Sequence, residues 1–85
     1  MNIRFTRHAE KQYKKLSRNL KDKTRKQLHF LLDNYRHSSL RTRKMGGVSK
    51  FEARIDKHYR FTFEVVENDI FILSVGPHDE GLGKK

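Results

Sequence analysis

Residues 51–79, FEARIDKHYRFTFEVVENDIFILSVGPHD, form three runs of strand-like pattern separated by turn residues, and no helical period fits them. Successive strand residues point to opposite faces. Phe51, Ala53 and Ile55 therefore share one side, while Glu52, Arg54 and Asp56 share the other. In the second run Tyr59, Phe61, Phe63 and Val65 alternate with Arg60, Thr62 and Glu64. The third run, Ile70 to Val75, is apolar at every position but Ser74, as expected of a strand covered on both faces.

Periodicity cannot orient that third run, so turn length must. A two-residue Asn68-Asp69 loop would pair Val66 with Phe71 and set Phe71, Leu73 and Val75 beside Arg60 and Thr62. A three-residue loop, Glu67-Asn68-Asp69, pairs Val66 with Ile70 and sets those three beside Phe61, Phe63 and Val65. The hydrophobic face decides register, so the longer loop is expected, with Asn68 or Asp69 in the left-handed conformation. The same rule demands a three-residue loop near Asp56 to Tyr59, with Arg54 opposite or diagonal to Arg60. His78 falls on the Arg60 face provided no bulge intervenes at Gly76-Pro77. Like charges directly opposed destabilise a bare sheet, and an anion bound on that face would account for them.

The N-terminal half reads differently. Asn2 to Phe5 is a short strand with Ile3 and Phe5 inward and Arg4 outward. Thr6 caps a helix from Arg7 to about Arg18, whose apolar stripe is Ala9, Tyr13, Leu16 and Leu20. Asn19 suits the cap of a second helix, with Asp22 in its first turn. Leu28, Leu31, Leu32 and Tyr35 mark that helix's buried stripe, and it ends near His37. Ser38 to Lys50 shows no period. The expected fold is α+β, in the order β-α-α-β-β-β: a small antiparallel-rich sheet with a helical hairpin on one face, a single domain over residues 1–85.

Charge separates the halves as well. Residues 1–50 carry 15 basic and 3 acidic side chains, against 5 and 7 in residues 51–85. The helical half thus holds the positive field and would attract a polyanion, nucleic acid first and an acidic protein second. Arg41, Arg43, Lys44 and Lys50, around Gly46-Gly47, suit phosphate contact, as does Lys57 in the hairpin loop. The Gly-Gly pair is not a phosphate loop of the nucleotide-binding kind, since no Lys-Ser/Thr follows it. With no cysteine and no apolar span or leader pattern, a soluble cytoplasmic protein away from any membrane is expected.

Five histidines show no metal-ligand spacing, and GxSxG is absent. Neither a metal nor a cofactor is expected. Acid–base cleavage of RNA needs neither: a 2′-hydroxyl attacks the adjacent phosphorus, one proton leaves, another reaches the 5′-oxygen, and the extra negative charge is stabilised. Guanidinium forks fit phosphate oxygens, and imidazole titrates near neutrality. Arg54, Arg60 and His78 would supply two clamps and an acid. The competing expectation is that the arginines pair with Glu52, Glu64 or Asp56 on a solvated face and that His78 is a turn residue after Pro77.

Over nearly its whole length the chain resembles the RelE/ParE superfamily of toxin–antitoxin toxins. The basic helical hairpin is followed by KMGG, then FEARIDKHYRFTF, then IFILSVGPHDE, in the family's order and spacing. The resemblance implies a sheet with two helices on one side and a neutralising antitoxin as partner. In the RelE-like branch it also implies ribosome-dependent mRNA cleavage. There, the "YR" arginine that contacts the scissile phosphate falls on Arg60, a basic residue of the preceding strand on Arg54, and the residue after V-G-x on His78. Lys57-His58 occupies the loop where some branches place an acidic residue or a histidine, which makes His58 a possible participant. Glu52 stands where some members have a second basic residue and is a possible base. No tyrosine follows His78, where several members carry one. ParE-like relatives share the fold and inhibit DNA gyrase without this set; a plain basic RNA-binding domain is the third reading.

Overall fold

A computed structural model describes residues 2–33, 42–45 and 50–77. The elements are β1 (Asn2–Phe5), α1 (Arg7–Lys14), α2 (Arg18–Asp33), β2 (Arg43–Met45), β3 (Lys50–Arg54), β4 (Tyr59–Val66) and β5 (Asp69–Pro77). The strands make one five-stranded sheet in the order β1-β5-β4-β3-β2. β1 runs parallel to β5 and every other pairing is antiparallel. The α+β class and the helical hairpin on the sheet are as expected. β2 is an addition: within the stretch expected to be loop, residues 43–45 pair with β3 as an edge strand.

The helices begin where short side chains can accept orphan N–H groups. Thr6 Oγ1 accepts from Ala9 N at 3.1 Å and caps α1, as expected. α2 is capped by Ser17, not Asn19: Ser17 Oγ accepts from Leu20 N at 3.2 Å. Both residue types cap well, and the earlier one adds two residues to the helix. Asp22 accordingly moves past the first turn, where it pairs with Arg25 at 2.6 Å. α1 ends at Lys14, sooner than expected, with Lys15 and Leu16 donating to the carbonyls of Gln12 and Tyr13 in a tightened last turn.

The core is built from Ala9 of α1, Leu28 and Leu31 of α2, and Ala53, Phe61, Phe63, Ile70, Ile72 and Val75 of the sheet, with Ile55 beside them. Phe63 and Phe51 stack at 5.2 Å, and Phe5 meets Tyr13 edge-on at 5.6 Å. Burying a side chain such as Phe63 is worth about 1.5–3 kcal/mol. Leu32, expected inside, is 45% exposed, because it lies off the stripe that Leu28 and Leu31 define. Tyr35 and His37 lie outside the described residues.

The β4–β5 register departs from expectation at the turn. Val66 pairs with Asp69, so the loop is the two residues Glu67-Asn68, and the left-handed backbone belongs to Glu67 at φ 55°. Ile70 faces Val65 and Ile72 faces Phe63, so these two enter the core in place of Phe71 and Leu73. The ladder then shifts between Thr62 and Phe63, where the step from Ile72 to Ser74 passes over Leu73. Beyond this bulge Thr62 faces Ser74, Phe61 faces Val75 and Arg60 faces Gly76. One extra residue reverses parity, so the bulge restores the register that the three-residue loop would have given the Arg60 end of the sheet.

Candidate active site

The β3–β4 turn is held by its own first side chain. Ile55 N donates to Tyr59 O at 2.9 Å, leaving Asp56, Lys57 and His58 as the loop expected from the hydrophobic pattern. Asp56 Oδ1 accepts from the backbone N–H groups of His58 at 2.9 Å and Tyr59 at 3.0 Å. Its Oδ2 accepts from Lys23 Nζ of α2 at 3.4 Å. Burial alone would push this carboxyl's pKa up. The two backbone N–H groups and the Lys23 ammonium outweigh it and hold the group below its ordinary 3.8. A second tie from α2 reaches the same hairpin, where Gln27 Nε2 donates to Arg54 O at 2.8 Å.

Arg54 and Arg60 are directly opposed across this hairpin. Their guanidiniums converge on one atom: Arg54 Nε donates to Asp56 O at 3.2 Å and Arg60 Nη1 donates to it at 2.9 Å. Arg60 Nη1 also reaches Tyr59 O at 3.2 Å. A carbonyl oxygen has two lone pairs and can serve both donors. Neither arginine forms an ion pair among the described residues, since the Asp56 carboxylate is engaged by Lys23 and by the turn. On the other side of Arg60 stands Gly76, where the absence of a side chain leaves room for a group approaching the guanidinium. The neighbouring row is Glu52, Thr62 and Ser74, with Thr62 Oγ1 and Ser74 Oγ bonded at 2.6 Å.

The other expected site residues are distributed as follows. Glu52 lies on the same face two residues from Arg54 and is only 5% exposed. Lys57 and His58 are exposed at the tip of the turn, beside the arginine pair. Lys50 is exposed at the far end of β3, opposite Glu64, about 13 Å from Arg54 along the strand. Arg43 and Lys44 are in β2, opposite Glu52 and Phe51. Arg41, Gly46-Gly47 and His78 lie outside the described residues.

Sequence reasoning did not find the Asp56 carbonyl or the Lys23 and Gln27 anchors. Main-chain atoms leave no residue-type signal, and pairs 33 and 27 residues apart have no period to betray them. It also missed Gln12 of α1, whose Oε1 accepts from Val75 N at 2.8 Å beside a cleft of about 580 Å³. His8, Lys15, Tyr59, Gly76 and Pro77 share that lining.

Residues 3–82 match the model of one family, described as the ParE toxin of type II toxin-antitoxin systems, parDE. The chain belongs to this family. It is therefore a toxin of a type II toxin–antitoxin system, within the wider ParE/RelE superfamily. Its fold is also that of several solved toxins. A YoeB/ParE toxin from Agrobacterium tumefaciens superposes with a TM-score of 0.81 at 13% identity, over 92% of this chain and 99% of that one. RelE in the intact Escherichia coli RelBE toxin–antitoxin complex gives 0.74 at 22% identity, over 88% and 93%. YoeB in the Staphylococcus aureus YoeB–YefM complex gives 0.78 at 23%, over 92% and 97%. No curated protein matches the chain in sequence. Among the described residues, no helix of the toxin is long and apolar enough to cross a membrane.

Proposed function

We propose that this toxin is a ribosome-dependent mRNA endonuclease that arrests growth by blocking translation. The observation that carries the reading is the arginine pair, with two opposed guanidiniums on one carbonyl and, among the described residues, no carboxylate on either. With its Nε engaged, Arg54 keeps its terminal Nη1/Nη2 fork unengaged among the described residues. Arg60, with Nη1 engaged, keeps the Nε/Nη2 fork. Each fork can take two oxygens of one phosphodiester.

In this reaction the 2′-oxygen loses its proton and bonds to phosphorus while the bond from phosphorus to O5′ breaks. The leaving O5′ takes a proton from His78, and a 2′,3′-cyclic phosphate remains. Arg54 and Arg60 carry the charge that accumulates on the phosphorane. Of the two candidate bases, exposed His58 at the turn is better placed to meet a substrate hydroxyl than Glu52, which is nearly enclosed. The chemistry uses side chains alone.

The exposed cations of the helices, among them Arg7, Lys11, Lys14, Lys15, Arg18 and Lys26, suit the seating of the toxin on ribosomal RNA. Arg41, Arg43, Lys44, Lys50 and Lys57 would add phosphate contacts. A cognate antitoxin is the partner in the cytoplasm, as the RelBE and YoeB–YefM assemblies suggest for a chain of this fold.

The family model itself favours a second reading, inhibition of DNA gyrase. Primer extension on a translated mRNA, run beside a gyrase supercoiling assay, decides between them. Cleavage by the wild type that falls about 10²-fold or more in Arg60→Ala and His78→Ala supports the nuclease. Intact transcripts with arrested supercoiling would establish the other.

A further inference from the structure

We propose that Asp56 is the positioning residue of the arginine pair: its carboxylate fixes the turn, and the turn aims its own carbonyl at both guanidiniums. This rests on the reading that Arg54 and Arg60 grip a phosphate. The side chain and the main chain of one residue do separate work here. Oδ1 binds the N–H groups of His58 and Tyr59 and so sets the local backbone of the loop. Oδ2 is tied to Lys23, which locks the loop to α2. With the peptide plane fixed, the Asp56 oxygen takes one N–H from each arginine at 3.2 Å and 2.9 Å.

Two cations on adjacent strands would otherwise swing apart, since opposed like charges repel and long side chains are costly to order. A single shared acceptor cancels part of that repulsion and keeps both forks turned to one point before any anion arrives. A carboxylate in the same place would neutralise the pair and compete with phosphate. A carbonyl orders the pair and leaves its charge.

The test uses the full chain and the variants Asp56→Ala, Asp56→Asn and Lys23→Met. Asparagine keeps an Oδ1 acceptor for His58 and Tyr59, whereas alanine removes it. Two readouts are taken: the kcat and KM of ribosome-dependent cleavage, and the ¹⁵N relaxation of the Arg54 Nε–H resonance in the isolated toxin. Asp56→Ala is expected to lose about 10–100-fold in kcat, the scale of a misplacement near 1 Å, with the Arg54 Nε–H becoming mobile. Asp56→Asn, which keeps the Oδ1 acceptor and gives up the Lys23 ion pair, and Lys23→Met, which gives up the ion pair alone, are both expected to stay within a few-fold of wild type in both readouts. An ordered Arg54 Nε–H in Asp56→Ala, or an Asp56→Asn as impaired as Asp56→Ala, overturns the proposal. If wild type cleaves no mRNA while the relaxation pattern still follows the side-chain acceptor, the positioning role stands and the nuclease reading falls.

Discussion

Strand β4 belongs to two hairpins that keep their register by different means. One edge of it pairs with β3 through a turn whose geometry is written in side chains, the Asp56 carboxylate closing on two backbone N–H groups and on Lys23. Its other edge pairs with β5 along its whole length, through a two-residue turn that places Glu67 at φ 55°, where a side chain is disfavoured. A bulge at Leu73 then absorbs the one-residue offset. The first hairpin spends polar groups on accuracy and carries the candidate site. The second relies on apolar fit, since Val65, Phe63, Ile70 and Ile72 leave one good way to fill the core. Register in a strand apolar throughout is set by packing, and the turn adapts to it.

Perturbing the apolar core and the polar turn separately should therefore have opposite signatures. The largest effect on stability is expected at Phe63, fully buried where the bulge begins and stacked on Phe51. Phe63→Ala should cost about 3–5 kcal/mol, read by urea unfolding, and should leave a chain this small marginal or unfolded. The largest effect on function is expected at Arg60. Arg60→Ala should lower cleavage by about 10²–10³-fold while the thermal midpoint moves only a few degrees, because the guanidinium bonds to the turn carbonyls of Asp56 and Tyr59 and is outside the core cluster. A variant that unfolds as readily as Phe63→Ala would show Arg60 to be structural and erase the contrast.

The same contrast explains which parts could be read from sequence. Alternation of Phe51, Ala53 and Ile55 against Glu52 and Arg54 fixed the β3–β4 pairing, including its three-residue loop and the opposition of Arg54 to Arg60. Those residues differ enough in polarity that a slipped register would bury charge. Ile70 to Leu73 carries no such contrast, so Ile70 and Ile72 could trade places with Phe71 and Leu73 on paper, and only the packed core separates them. Arg60 still faces Gly76 in either case, because the misread turn and the unforeseen bulge are offsets of one residue each and cancel. The edge strand at residues 43–45 escaped because Arg43 and Lys44 have no apolar face to announce it; it is held by backbone pairing with β3. Ser17 and Asn19 are caps of similar strength two positions apart, and local sequence does not choose between them.

Smaller perturbations sharpen the comparison at the turns. Glu67→Gly should stabilise the β4–β5 hairpin by about 0.5–1 kcal/mol, since glycine adopts positive φ without the steric penalty, less the entropy it adds to the unfolded chain. A thermal midpoint raised by a few degrees, with cleavage unchanged, would confirm that this turn tolerates its residue and does not depend on it.

The smallest expected effect is the pH dependence of the other turn. The Asp56 carboxyl sits below its ordinary 3.8 in the folded protein, so the folded state favours the ionised form. Its contribution to stability is complete above that ordinary value and is lost as pH falls through the folded one. Asp56→Asn removes this titration while retaining the Oδ1 acceptor. Unfolding midpoints followed from pH 6 downward should therefore run parallel for the two proteins until about the ordinary carboxylate range, below which the wild type should lose stability faster. Parallel curves down to full protonation would mean that the N–H groups of His58 and Tyr59 bind the neutral acid as well as the anion. The turn would then be held by the Oδ1 acceptor alone, with neither the negative charge nor the Lys23 ion pair adding to stability.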